Sequence, residues 1–181
     1  MIVMGIDPGV ANTGFGVVRS GGGRTVALDG GVIETSPSEP LPKRLARIHA
    51  SVSELIEWHE PEAVAVEDLY FGRNAGSALA VGQARGVVML AAAEHEIPCH
   101  DYPPQVVKQA VCGVGTAGKE QVQEMVARLL GLAEPPSPDH AADAFAVAVC
   151  HTGHASSPLS GGFSEATPAQ RPPRTSRRAA G

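Results

Sequence analysis

The sequence predicts a mixed α/β domain whose central sheet begins antiparallel, continues with parallel strands and is flanked by helices. Three observations lead there. Apolar runs at residues 1–7 and 15–18 are joined by the turn signal Pro8-Gly9. Between residues 41 and 58, apolar side chains recur mostly at steps of three and four. Beyond that point, short strand-like runs alternate with helical ones. Hairpin-like strands followed by alternating elements are the signature of a mixed sheet covered by helices.

Residues 1–7 form a first strand that ends in an acid, and Thr13-Gly14 opens the returning arm of the hairpin. The Gly21-Gly22-Gly23 turn leads into a third strand over residues 24–34. Leu41, Leu45, Ile48, Val52, Leu55 and Ile56 give the next helix one buried face, and Pro61 ends it. Residues 63–66 read as a buried parallel strand closing on Glu67, with a loop over residues 68–74. Residues 77–95 are helical by length and alanine content, yet small or apolar on nearly every side, with Gly82 and Gly86 four apart. One face of that helix is expected on the sheet and the other on a partner. A fifth strand over residues 97–102 follows, then helices at 104–111, 119–130 and 139–150. From about residue 151 the chain is mostly Ser, Gly, Pro, Ala and Arg. Residues 1–152 are therefore expected to be the folded domain, and residues 153–181 a disordered basic tail.

Of the 181 residues, 43% are hydrophobic and 18% charged, which excludes disorder of the whole chain. No apolar run approaches the roughly 20 residues of a membrane-spanning helix. The opening residues carry no basic leader, so a cytoplasmic protein is expected. Cys99, Cys112 and Cys150 are an odd set at wide spacing, which suits reduced core thiols rather than disulfides or a zinc site. Aromatic content of 4% leaves Tyr70 and Phe71 as the obvious stacking pair. The net charge of -5 divides unevenly, about -8 over residues 1–152 and +3 over the tail. So acidic a domain suits a polyanionic partner only if several acids gather around divalent cations.

Asp7 ends the first strand and Glu67 the fourth, where an α/β sheet usually presents its functional groups. Two carboxylates on neighbouring strands repel and raise each other's pKa, a conflict that bound cations relieve. The plainer alternative is that each acid caps or solvates a strand end. The last helix opens with Asp139, His140 and Asp143, and the spacing lets either Asp139 or His140 act with Asp143. Asp139, after Pro138, is also a ready N-cap. Ligands of this kind suit Mg²⁺ or Mn²⁺. Two such ions, roughly 3.5–4 Å apart, stabilise the attacking and leaving oxygens of a phosphodiester displacement. The site therefore points to a nuclease.

A set of motifs, in order, carries a more specific likeness. Ile6-Asp7-Pro8-Gly9 with Thr13-Gly14, Val66-Glu67-Asp68, Gly82-Gln83-Ala84-Arg85-Gly86, Gln105-Val106-Val107-Lys108, Gly113-Val114-Gly115 with Lys119, and His140-Ala141-Ala142-Asp143-Ala144 together resemble the RuvC family of Holliday-junction resolvases. The likeness spans about residues 1–152. It implies a ribonuclease H-like fold and a homodimer that resolves four-way DNA junctions by paired symmetric nicks. Two Mg²⁺ ions per subunit, with Mn²⁺ as substitute, and the branch-migration proteins RuvA and RuvB as partners, follow from the same resemblance. Its catalytic and metal-binding positions fall on Asp7, Glu67 and Asp143, and the fourth on His140, where some members have Asp. His140 then either ligates a metal or positions or deprotonates the attacking water. Lys108 and Lys119 match the family's lysines, Tyr70 and Phe71 its junction-probing pair, and Arg73 joins them as an expected DNA contact. With Lys43, Arg44 and Arg47 these cations would make a local basic surface, so that binding falls steeply with salt. Gly82 and Gly86 are the expected dimer contacts.

The Asp-Pro-Gly turn also resembles the phosphate loop of sugar kinases and actin-like ATPases, but those close two such domains over ATP and this chain has a single copy. A junction-binding dimer without chemistry is a further alternative, disfavoured because all four candidate ligand positions hold competent residues.

Overall fold

The computed structural model describes residues 1–68 and 75–155, apart from the side chains of 75–77. Three strands come first, β1 (Ile2–Asp7), β2 (Asn12–Gly21) and β3 (Arg24–Glu34), followed by helix α1 (Leu41–His59). Strand β4 (Ala63–Glu67), helix α2 (Ala75–Glu94) and strand β5 (Cys99–Tyr102) come next, and α3 (Pro104–Cys112), α4 (Lys119–Leu130) and α5 (Asp139–Ala155) close the domain. The strands form one sheet in the order β3-β2-β1-β4-β5. Neighbours β3, β2 and β1 run antiparallel, whereas β1, β4 and β5 run parallel. The predicted mixed sheet is therefore present.

Two elements differ from expectation. Strand β5 starts at Cys99 rather than residue 97 because the chain is still leaving α2 there: Glu96 takes a left-handed φ of 59°, and the Ile97 N–H bonds the Ala92 carbonyl (2.9 Å). Helix α5 does not stop at residue 150 but continues to Ala155, so the first three residues of the expected tail are helical. His151 and Thr152 are buried in it, and Tyr102 Oη hydrogen-bonds His151 Nδ1 (2.8 Å). Burial, with the nearby His100 and His154, pushes His151 down to about 4, so the buried ring is neutral at physiological pH. Residues 156–181 lie outside the described residues. Among the described residues no helix is long and apolar enough to cross a membrane.

The pleat sorts side chains onto two faces. Met4, Ile6, Val17, Val64 and Val66 pack with Ile48, Val52, Ala84 and Val88 of α1 and α2. Val3, Val18, Ala65 and Tyr102 pack with α3, α4 and α5 on the opposite face. On this second face the sheet is carpeted with glycine beneath α5. A Cβ on Gly5 would overlap the Ala144 carbonyl oxygen, and one on Gly14 the His140 carbonyl. At Gly16 and Gly30 it would enter the Phe145 ring. Helix α5 thus rests directly on backbone, a close approach that only glycine permits.

Candidate active site at the carboxyl ends of β1 and β4

Alternation along the strands aims the two strand acids. Val3 and Ala65 face α5, so Asp7 and Glu67, each an even number of residues further on, share that face. Ile6 pairs with Val66, which makes Asp7 and Glu67 the next residues out on adjacent parallel strands. The turn after Asp7 is pinned by two buried threonines. Thr13 Oγ1 donates to the Gly9 carbonyl (2.6 Å) and Thr35 Oγ1 to the Val10 carbonyl (2.5 Å). From above, the glycine bed brings in the first turns of α5 with His140 and Asp143.

Two of the predicted acids are paired, Asp7 with His140 and Asp143 with Lys119, and the four residues do not form a ready cage. His140 Nδ1 lies 2.7 Å from Asp7 Oδ2. An ionised carboxylate only accepts, so Nδ1 is the donor in this pairing, and the neutral tautomer compatible with it holds its lone pair on Nε2. Lys119 Nζ sits 3.7 Å from Asp143 Oδ2 and 3.0 Å from Asp139 Oδ2. Among the described residues no three His, Cys, Asp or Glu side chains stand close enough to grip an ion together. Yet the local charge is unbalanced. Burial, then the charges of Asp7 and Asp143, push Glu67 up to about 7, against a smaller pull from Lys108 and Lys119. Asp143 is raised for the same reasons, burial first and then Asp7. Crowded, half-buried carboxylates beside an imidazole are the hard and borderline donors that a divalent cation satisfies, so the residues fit such an ion.

Beside them opens a cleft of about 230 Å³ whose polar walls are Glu67, Asp143, Lys108 and Lys119, with Val107 and Val122 on the apolar side. Both family-matched lysines therefore line the cleft with Glu67 and Asp143. Asp139, weighed as a partner of Asp143 or an N-cap, sends its carboxylate across to α4: Oδ1 accepts from Gln123 Nε2 (2.8 Å) and Oδ2 meets Lys119. The hydrogen bond from Lys119, helped by that from Gln123, holds Asp139 below its ordinary range. Sequence reading missed this brace because Lys119 and Gln123 lie on another helix.

The remaining expectations divide. Arg47 is paired with Glu39 (2.9 Å), and Arg44 Nε donates to Thr35 Oγ1 (2.8 Å), so those two cations serve the start of α1. Gly86 is exposed on α2 beside the exposed Leu79, Met89 and Leu90. Tyr70, Phe71 and Arg73 lie outside the described residues. The cysteines are free: Cys150 is buried, whereas Cys99 and Cys112 are only partly so. Burial raises all three thiols, Cys99 to about 11 and Cys150 to about 12.

Residues 3–151 match the sequence model of the family described as crossover junction endodeoxyribonuclease RuvC. The chain belongs to the RuvC family. A relative of that name from Moorella thermoacetica is 54% identical over 155 residues, which is 86% of this chain and 93% of the relative. Another, from Pelotomaculum thermopropionicum, is 49% identical over 85% of this chain and 94% of its own length. The solved RuvC structure from Thermus thermophilus superposes with a TM-score of 0.80 at 47% identity, over 86% of this chain and 95% of that one. The T. thermophilus protein in complex with a Holliday junction substrate gives 0.79 at 45% identity, with the same shares of the two chains. The yeast mitochondrial Holliday junction resolvase, 14% identical, shares the fold at a TM-score of 0.58 over 82% of this chain and 77% of its own. The sheet and its covering helices are the ribonuclease H-like arrangement of RuvC.

Proposed function

We propose that this chain is a divalent-metal-dependent endonuclease that resolves four-way DNA junctions by paired symmetric nicks, in recombination and repair. The observation that carries the reading is the cleft walled by Glu67, Asp143, Lys108 and Lys119, with Asp7 near enough for its charge to raise both of the other acids. Acids hold cations and lysines hold phosphate, and both stand at one spot. Asp7, Glu67, Asp143 and His140 would hold two Mg²⁺ ions, with Mn²⁺ as substitute. Bound there, the ions supply Lewis-acid stabilisation of the attacking and leaving oxygens.

The chain's own groups do the rest. Lys108 and Lys119 balance the charge of the scissile phosphate and position it. Lys119 stays tethered because Asp139, itself fixed by Gln123, holds the ammonium. The Asp7 carboxylate fixes the His140 tautomer and leaves Nε2 to ligate a metal or take a proton from the attacking water. Tyr70 would stack on an unpaired base near the cut, and Phe71 and Arg73 would be further DNA contacts. A homodimer through the exposed face of α2, around Gly82 and Gly86, would place two such sites for paired nicks. RuvA and RuvB are the partners that the family implies for the same reaction.

The test is cleavage of a synthetic four-way junction, with linear duplex as control, in Mg²⁺ or Mn²⁺. Junction-selective cutting that Glu67→Gln and Asp143→Asn abolish without loss of junction binding is the expected result. No cleavage by the unaltered chain, or equal cutting of duplex and junction, overturns the proposal.

A further inference from the structure

Arg85 sits in the middle of α2, on the face of the sheet opposite the cleft, and its side chain is only 14% exposed. Around it the helix is small and aliphatic, with Ala84, Val88, Ala91 and Ala92 in the core. Among the described residues the guanidinium contacts three acceptors, all at the carboxyl ends of strands. Nη2 meets Asp101 Oδ2 on β5 (2.7 Å), and Nη1 meets Asp68 Oδ1 just past β4 (3.3 Å). Nη1 also donates to the main-chain carbonyl of Glu67 (3.3 Å). On the other side, the Asp68 N–H donates to the Tyr102 carbonyl (2.9 Å). Glu67 is thus the last residue of β4, held from behind by one rigid fork and flanked by a bond to β5.

A sheltered arginine between two carboxylates is a poor device for stability, because desolvation offsets much of the attraction and an aliphatic side chain would pack there at least as well. Its worth lies in geometry. A planar guanidinium fixes three acceptors at set angles, which a lysine cannot do. The acceptors chosen are the backbone of Glu67 and the acids on either side of it, one residue from β4 and one from β5.

We propose that Arg85 is a positioning residue for Glu67: by gripping the Glu67 carbonyl with the Asp68 and Asp101 carboxylates, it sets the height and rotation of the end of β4 and so the place of the Glu67 carboxylate in the cleft. This rests on the reading of Glu67 as a catalytic acid. A carboxylate displaced by about 1 Å from its working position costs up to roughly 10²-fold in rate.

The experiment compares Arg85→Gln, Arg85→Lys and Asp101→Asn in the full chain, through steady-state junction cleavage and through calorimetric titration of Mn²⁺ without DNA. Arg85→Gln is expected to lower kcat by roughly 10–30-fold with KM within about twofold, and to weaken Mn²⁺ binding several-fold. Arg85→Lys recovers part of the loss, and Asp101→Asn loses about threefold. Unchanged kcat and Mn²⁺ affinity, even with a lowered Tm, reduce Arg85 to a structural residue and overturn the proposal; so does a rise in KM alone. If Arg85→Gln does not fold, the other two variants decide by the same readouts. Glu67→Gln in the same assay separates the two readings. Full activity there removes the catalytic role of Glu67, whereas a dead Glu67→Gln beside three unimpaired variants removes only that of Arg85.

Discussion

The two faces of the sheet solve the same burial problem in opposite ways. Over α1 and α2, a full layer of Met, Ile and Val side chains lies between helix and strand. Under α5, Gly5 and Gly14 bring strand backbone against helix backbone, and Gly16 and Gly30 make room for the Phe145 ring. An aliphatic layer keeps a helix in place while absorbing small changes by repacking. Backbone contact leaves little to repack, so the helix tolerates less displacement there. Of the proposed catalytic acids, Asp7 on β1 and Asp143 on α5 stand on elements joined in the unyielding way, and Glu67 ends β4, which pairs directly with β1. Precision is placed where chemistry needs it, and ordinary oil suffices elsewhere.

That contrast can be broken by experiment. The largest effect is expected at the acids themselves: Asp143→Asn should lower junction cleavage by roughly 10²–10³-fold or more while leaving junction affinity intact, as read by a binding assay beside the cleavage assay. Next comes the glycine bed. Gly14→Ala should push α5 off the sheet, with a loss of about 1–3 kcal/mol in denaturant unfolding and roughly 10²-fold in kcat. The matched control is Val88→Ala on the buried face of α2, expected to cost about 1–3 kcal/mol as well but to leave kcat within about twofold below its Tm. Equal loss of kcat in both would erase the distinction between the faces.

A smaller effect sharpens the electrostatics of the α5 face. Glu67 has an ordinary pKa of 4.5 and about 7 when folded, so between those values the native state binds the extra proton. This group therefore subtracts stability as pH rises from about 4.5 to 7, and the whole penalty is present above 7. In divalent-free buffer, Glu67→Gln should be more stable than the unaltered chain by ~1–2 kcal/mol at pH 8, shrinking towards nothing near pH 5. A pH-independent difference would contradict it. The smallest expected change is at His140. If its imidazole ligates an ion, His140→Asp should lower the Mn²⁺ to Mg²⁺ activity ratio by a few-fold, and an unchanged ratio would assign the ring to water instead.

Much of this was legible in the chain. Strand parity and helical spacing place β1, β3, β4, α1 and α4 within a residue or two of their observed ends, whereas β2 runs on to Gly21, past the apolar run that marks it. The acids announce themselves as carboxylates that terminate apolar runs. What escaped depends on contacts distant in sequence. The end of α5 is set by Tyr102, 49 residues before its partner His151, while the local sequence around Gly153 reads as a linker. Asp139 looked like a cap because its true partners, Lys119 and Gln123, belong to another helix. Arg85 left a fainter sign: a single charge in an otherwise small and apolar stretch of helix, with acids waiting at two strand ends.

The alternation that turns Asp7 and Glu67 towards α5 carries one more implication, about length rather than identity. Lose or gain one residue inside β1 or β4, and the terminal carboxylate swings through the sheet into the greasy layer beneath α1 and α2, however well the remaining side chains match. Strands such as Ile2–Asp7 and Ala63–Glu67 should therefore accept many spellings but only one count.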